Sequence, residues 1–271
     1  MFYKIKYLKI KYLKIKMETL NKDTFFLIAK DMDIRSLINL CETDKKAEKY
    51  CKNDALWRYR LDKEFPDWEL FNLNKSPIES YVFLYQLKIL KKELKRYETL
   101  FELYNLQKLD LTYKNLTKIP KEIGNLSNLI ELNLNFNDFT ELPKEIGNLS
   151  NLQVLKLLNN KIFKLPKEIG NLSNLQKLNL YNNNLIVLPK EIGNLPNLKE
   201  LIINSNQLTK LPKEIGNLSN LQKLYLSDNP LKILPKEIGN LTNLQILTLY
   251  NIKLIEIPKE ITDNERIKIE S

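Results

Sequence analysis

Histidine is absent from the 271 residues. That removes the imidazole base, the commonest metal ligand and every serine–histidine arrangement. Glycine is scarce: Gly124, Gly147, Gly170, Gly193, Gly216 and Gly239 are the whole set, and each stands in an I-G-N tripeptide. None is left for a phosphate-cradling loop or a dinucleotide fingerprint. Cysteine occurs twice, at Cys41 and Cys51, in neither a C-x-x-C nor a zinc-ligand pattern. Their spacing reads as two small buried apolar residues in a reducing compartment. No apolar run is long enough for a signal core or a membrane span. Acidic residues are plentiful but dispersed, so no acid/base pair or metal site is expected. The sequence predicts a protein that is not an enzyme and carries no cofactor.

What is present is repetition. The string P-K-E-I-G-N-L begins at Pro120, Pro143, Pro166, Pro189, Pro212 and Pro235, always at the same interval. Before each copy runs an apolar frame, L-x-x-L-x-[LI]-x-x-N-x-[LIF]-x-x-[LI]-P. In the third repeat Leu155 and Leu157 alternate as one face of a short strand does. Ile162 and Leu165 then carry the chain across a core to which Ile169 and Leu172 return. One such turn cannot bury its apolar groups alone, whereas a stack of turns can. Asn137, Asn160, Asn183, Asn206 and Asn229 share one frame position. Their amides are expected to bond the backbone of their own and the neighbouring loop. Lys114 and Ile252 replace Asn at the ends, as terminal turns allow.

This frame resembles the leucine-rich repeat family over about residues 106–263. The resemblance implies an α/β leucine-rich-repeat solenoid of seven repeats, with a parallel sheet lining a concave face and a C-terminal cap, over residues 106–271. A small all-α domain precedes it. The outer P-K-E-I-G-N-L hardly varies, while the strand positions between the leucines vary freely. Tyr113, Phe136, Lys156, Leu158, Tyr181, Ile202, Tyr225 and Tyr250 are the candidate target-binding residues, because exposed aromatics anchor protein interfaces. The competing reading is drift at positions where packing asks for nothing.

Residues 17–66 read as four short helices. Phe25, Ile28, Ala29 and Met32 share one helical face, and Ile34, Leu37, Leu40 and Cys41 share the next, capped by Asp33. Ala47, Tyr50 and Cys51 follow, capped by Thr43. A fourth, capped by Asn53 or Asp54, holds Trp57 and Leu61. About fifty residues make only a small core, so this unit is expected to lean on a partner or on the next segment. The stretches Phe26-Leu27-Ile28, Met32-Asp33-Ile34-Arg35-Ser36-Leu37, Leu40 to Lys45 and Leu56-Trp57 resemble an F-box, in an arrangement similar to F-box/leucine-rich-repeat proteins including those of large DNA viruses. The resemblance implies a substrate-recruiting subunit of a ubiquitin ligase, with Phe26, Leu27, Leu37, Leu40 and Trp57 gripping an SCF-type adaptor. The family's Leu-Pro opening is missing, and Asp23-Thr24 stand near its place, which predicts weaker adaptor binding. The alternative is a non-catalytic scaffold whose helices only cap the solenoid.

Residues 67–105 read as a linker and an N-terminal capping helix. Ser76-Pro77-Ile78-Glu79 opens it with a capping box, and Leu84, Leu87, Leu90, Leu94, Tyr97 and Phe101 continue at helical spacing. Residues 1–16 hold six of the ten net positive charges in a five-residue echo, I-K-Y-L-K. This tail reads either as an arm for nucleic acid or anionic membrane, or as an extension ahead of a working start at Met17. The second reading is adopted, so no nucleic-acid partner is expected. The six N-x-[ST] sequons are by-products of the repeat frame if the protein is intracellular, which is the expected location.

Overall fold

The computed structural model describes residues 22–95, 98–263 and 267–270. The tail and Met17 lie outside these residues. Contacts divide the chain into two units, Met1–Gln86 and Leu87–Ser271.

In the first unit four helices form: α1 (Lys22–Ala29), α2 (Ile34–Thr43), α3 (Lys45–Cys51) and α4 (Asp54–Glu64). Asp33 caps α2 by accepting from the Ser36 N–H at 3.0 Å, and Asn53 caps α4 through the Ala55 N–H at 3.2 Å. The α3 cap is Asp44, one residue beyond the expected Thr43. The Asp44 carboxylate accepts from the Ala47 N–H, while the Thr43 hydroxyl turns back onto the Asn39 carbonyl. With only Asp44 between α2 and α3, the last turn of one meets the end of the other. Cys41 and Cys51 then stand 5.9 Å apart at Cα and are disulfide-bonded, within the usual range for a bridge. The expectation of two free thiols is therefore overturned.

Arg60 organises this core. Its side chain is buried and donates to the carbonyls of Ala29 and Met32, where α1 ends, and to Glu64 and the Tyr81 hydroxyl. The Tyr81 ring packs on Trp57, and burial pushes its phenol far above its ordinary pKa. Leu37, Leu56 and Leu61 fill the remaining space with no exposed surface.

The expected capping box opens α5 (Pro77–Glu93): Glu79 accepts from the Ser76 N–H at 2.9 Å. The helix does not run on to Phe101. It stops before Lys95, which takes φ 50°, and a second capping box, Thr99 with Glu102, starts α6 (Leu100–Tyr104).

In the second unit, strands β1 (Lys108–Asp110), β2 (Glu131–Asn133), β3 (Val154–Lys156), β4 (Lys177–Asn179), β5 (Glu200–Ile202), β6 (Lys223–Tyr225), β7 (Ile246–Thr248) and β8 (Lys268–Glu270) form one parallel sheet in chain order. The register places Leu109, Leu132, Leu155, Leu178, Leu201, Leu224 and Leu247 in one ladder. All seven are at most 1% exposed. The sequence predicts seven turns, and the sheet has eight strands. The eighth follows Pro258-Lys259-Glu260-Ile261, a copy of the outer string in which Thr262 replaces glycine. Lys223 pairs with Ile246 but Ile246 pairs with Lys268, so the register step to β8 falls short of the repeat interval. Periodicity alone therefore misses this strand.

Each outer string folds as one 3-10 turn entered by a proline, as Pro189 does at φ −64° and ψ 145°. Its glycine is not there for a left-handed turn, since no glycine has positive φ. It is there for space. A Cβ on Gly193 would lie 2.2 Å from the Glu214 carbonyl oxygen, and on Gly147 2.4 Å from that of Glu168. Thr262 is exposed, in the turn after the last glycine. Gly193→Ala should thus lower stability by about 1–3 kcal/mol through overpacking, read as a drop in urea midpoint. Thr262→Gly should move it by less than half as much. Equal shifts would remove the close-approach argument.

The asparagine ladder is as expected. The Asn183 amide donates to the carbonyls of Leu157, Leu180 and Tyr181 and accepts from the Ile162 N–H, so it ties its own repeat to the preceding one. Asn183→Leu leaves those groups unpaired at a cost of about 1–3 kcal/mol, while Lys114→Leu, at the exposed first position, should cost far less. Indistinguishable urea midpoints for the two variants would count against the ladder.

Candidate functional site

Period-two alternation turns the leucines inward and sends the residues between them to the open face of the sheet. The eight candidate residues fall in three columns along this face. The structure adds a fourth, one position ahead of the first inward leucine, that begins Lys108, Glu131, Val154, Lys177, Glu200 and Lys223. Extending the alternation back past the first inward leucine, as well as forward, would have located it. This column is charged and partly self-paired. Glu131 bonds Lys156 and lies 3.6 Å from Lys108, and Lys177 lies 2.9 Å from Glu200. The Lys156 ammonium holds the Glu131 carboxyl below the usual carboxylate range.

The candidate residues fall as follows. Tyr113 is 68% exposed, and its ring stacks on Phe136 at 4.4 Å and 13°. Tyr181 and Tyr250 are exposed, and Leu158, Ile202 and Tyr225 are half-buried. Lys156 is engaged by Glu131. Two members of the same columns depart from the outward expectation. Ser227 and Thr248 are each 4% exposed, because their hydroxyls bond one another at 3.1 Å and Ser227 also accepts from the Tyr250 N–H.

The column Tyr113, Phe136, Asn159, Asn182, Ser205, Asp228, Asn251 has a local cause that sequence reading did not supply. All seven residues lie between φ 53° and 58°. Asn and Asp tolerate this left-handed region, whereas bulky side chains are outliers in it. Most of this column is therefore a backbone requirement, and Tyr113 and Phe136 are its exceptions.

The two edges of the face differ. Before the strands runs a second asparagine ladder that sequence reading missed, in which Asn151, Asn174, Asn197 and Asn243 donate to the carbonyls of Ser127, Ser150, Ser173 and Ser219. A polar hollow of about 530 Å³ opens there, lined by Asn105, Gln107, Asn128, Asn151, Gln153 and Asn174 among others. After the last strands a hollow of about 420 Å³ is lined by Asn206, Asp228, Lys232, Asn251 and Lys253 among others.

Of the five candidate adaptor residues, Leu37, Leu40 and Trp57 are buried in the helical unit, and the Trp57 indole donates to the Cys51 carbonyl. Phe26 is half-buried with its ring 5.9 Å from Tyr59, and Leu27 is 60% exposed. Among the described residues no helix is long and apolar enough to cross a membrane.

Comparison with known proteins agrees with this geometry. Residues 144–232 match the family model of a leucine-rich repeat region, and residues 104–162 that of a leucine rich repeat. A leucine-rich-repeat protein of Leptospira interrogans is 43% identical with a TM-score of 0.59, over 66% of this chain and 52% of that one. The plant peptide hormone receptor RGFR1, solved in complex with RGF2, is 35% identical with a TM-score of 0.55, over 62% of this chain and 28% of the receptor. An internalin of Listeria monocytogenes is 28% identical with a TM-score of 0.53, over 62% of this chain and 48% of that one. The chain thus spans about half of the Leptospira protein and less of the other two. No curated protein matches the sequence. The second unit is a stack of leucine-rich repeats.

The Glu131–Lys156 pair gives a pH signature. A carboxyl whose pKa is depressed on folding stabilises the protein above its unfolded pKa, near 4.3, and loses that contribution as pH falls through the folded value. The urea-midpoint gap between wild type and Glu131→Gln should be constant near neutrality, worth less than about 1 kcal/mol, and should close in more acid solution. A gap that is unchanged at low pH would show that the pair contributes nothing through charge.

Proposed function

We propose that this chain is a non-catalytic recognition protein that holds a protein target on the concave face of its repeats and, through its helical unit, joins that target to an adaptor of a ubiquitin ligase. One observation carries the first half. Behind the sheet every repeat buries the same leucines, while on the open face the side chains change from repeat to repeat and keep aromatic rings exposed. The plant receptor solved in complex with RGF2 supports the same use of a repeat stack. The second half is supported by the helix order and by Phe26, Leu27 and Tyr59, which keep apolar surface available on α1 and α4. In this reading Leu37, Leu40 and Trp57 hold up the docking surface from within, and Phe26 and Leu27 make the contact. This reading places the protein inside the cell, and the Cys41–Cys51 disulfide, a bond rare in reducing compartments, weighs against it.

A second reading, a plain scaffold, is favoured by the completeness of the helical core. A unit that has already buried Leu37, Leu40 and Trp57 does not need a partner to cover them. One experiment separates the two. The full chain is incubated with purified adaptor in large excess, and with lysate for target capture. Leu27→Asp should cut adaptor capture at least about tenfold, as loss of an interface anchor does, and leave target capture intact. Tyr181→Ala with Tyr225→Ala and Tyr250→Ala should do the reverse, and Lys167→Ala with Lys190→Ala, on the outer turns, should change neither. Failure of the wild type to bind adaptor replaces the ligase reading by the scaffold. Loss of target on changing the outer lysines alone would move recognition off the sheet.

A further inference from the structure

Aromatic and aliphatic side chains form a continuous strip on the first four repeats. Tyr113, Phe136, Leu158 and Tyr181 step along the C-terminal ends of β1 to β4. The Phe136 N–H donates to the Leu158 carbonyl at 2.8 Å and the Asn159 N–H to that of Tyr181 at 2.9 Å, so the segments bearing them are nearest neighbours. Past the left-handed turn, Phe163, Ile186 and Val187 are exposed on the flank of the third and fourth repeats, with the Ile186 N–H donating to the Phe163 carbonyl. In the later repeats the corresponding edge carries Asn204, Ser205 and Asp228, beside the hollow lined by Asn206, Asp228 and Asn251. Ile233, Tyr250 and Ile255 are exposed there too, but that polar edge interrupts them.

Two further observations bear on this strip. The first is conformational. Tyr113 and Phe136 hold φ 56° and 53° where five other repeats place Asn, Ser or Asp. Side chains of that bulk are disfavoured there, and such outliers gather at binding sites. Packing does not demand them, since Tyr113 is largely exposed. The second is electrostatic. Several charges bordering the strip are already paired within the protein: Lys156 and Lys108 with Glu131, Lys161 with Asp138, and Lys164 with Glu141, while Lys114 beside Tyr113 is exposed outside these pairs. A charged ligand would find no free counter-charge in those pairs, whereas an apolar one would need none. Charge depletion with aromatic enrichment is the composition of an interface centre.

We infer that this strip is the docking site for an uncharged, hydrophobic segment of a partner protein, with the Tyr113–Phe136 pair and Ile186 as its anchors. The inference rests on the recognition reading of the sheet and narrows it to the first four repeats, while adding a flank that the face itself does not include.

The test uses the immobilised full chain and a phage-displayed random-peptide library. Selected peptides should be rich in aromatic and aliphatic residues and close to neutral. The double variant Tyr113→Asn, Phe136→Asn and the single variant Ile186→Ser should each weaken their binding about tenfold or more. Because Asn is at home in the left-handed region, the double variant should keep or raise the urea midpoint. Peptides that are charged, or an empty selection, would overturn the inference. Binding lost through Tyr225→Ala with Tyr250→Ala, but not through the strip variants, would overturn it and leave the recognition face standing. Binding that depends on Lys167 and Lys190 instead would overturn both. A lower midpoint with unchanged binding would show that the aromatic pair serves packing alone.

Discussion

The carbonyl oxygens of Glu145, Glu168, Glu191, Glu214 and Glu237 stand where a Cβ on the glycine of the preceding repeat would lie, and the stack depends on that close approach. With a Cβ at Gly216, the Glu237 oxygen would be 2.2 Å away. The strands at the front are held at hydrogen-bonding distance by their ladder, so the back must keep a matching pitch or the repeats lose register. A side chain at the glycine position would wedge the back open. This accounts for the glycine in all six copies of P-K-E-I-G-N-L without appeal to function, and for the Thr at position 262, where the last glycine has been passed. Constraint at the back leaves the front free. Outside the left-handed column and the buried Ser227–Thr248 pair, residues on the open face meet no such demand.

Much of this was legible in the sequence, because a stack reports its packing through period. Leucine ladders, the asparagine at the bend and the parallel pairing each recur at one interval, and recurrence makes a weak local signal strong. Features that escaped are those without recurrence or with an ambiguous cause. The eighth strand follows a shortened step, from Ile246 to Lys268. The Cys41–Cys51 pairing depends on the angle between two helices joined by a single residue. Arg60 looks like a surface residue of α4 until Ala29 and Met32 present their carbonyls to it. The run of Asn, Ser and Asp beside the ladder has a backbone cause, a left-handed φ, that residue identity alone does not reveal.

That backbone cause changes how the face is weighed. A composition of Asn and Asp in a left-handed position carries no information about a ligand, since the backbone selects it. The same rule makes Tyr113 and Phe136 more informative than any other residues of the column, because they stand where the backbone would select something else. Their stacking at 4.4 Å recovers part of the cost, but a stacked pair in solvent is a modest return for two outlying residues. Drift along the column would replace asparagine by residues that the turn accepts. It does not account for two adjacent rings.

The helical unit poses the opposite problem, since it solves its own core. Arg60 satisfies the carbonyls at the end of α1 and is itself paired with Glu64. Trp57, Leu56 and Leu61 leave almost no surface uncovered. So short a segment was expected to lean on a partner, but a buried cation with four acceptors, one of them the Tyr81 hydroxyl from α5, completes this one. Truncating Arg60 would strand those carbonyls in an apolar core, a loss of the order of 3–5 kcal/mol. A unit built this way gains nothing in folding from an adaptor. What remains outside on this unit is the apolar surface of Phe26, Leu27, Tyr59 and Leu70. The affinity of a contact there then depends on the surface itself rather than on completion of the fold.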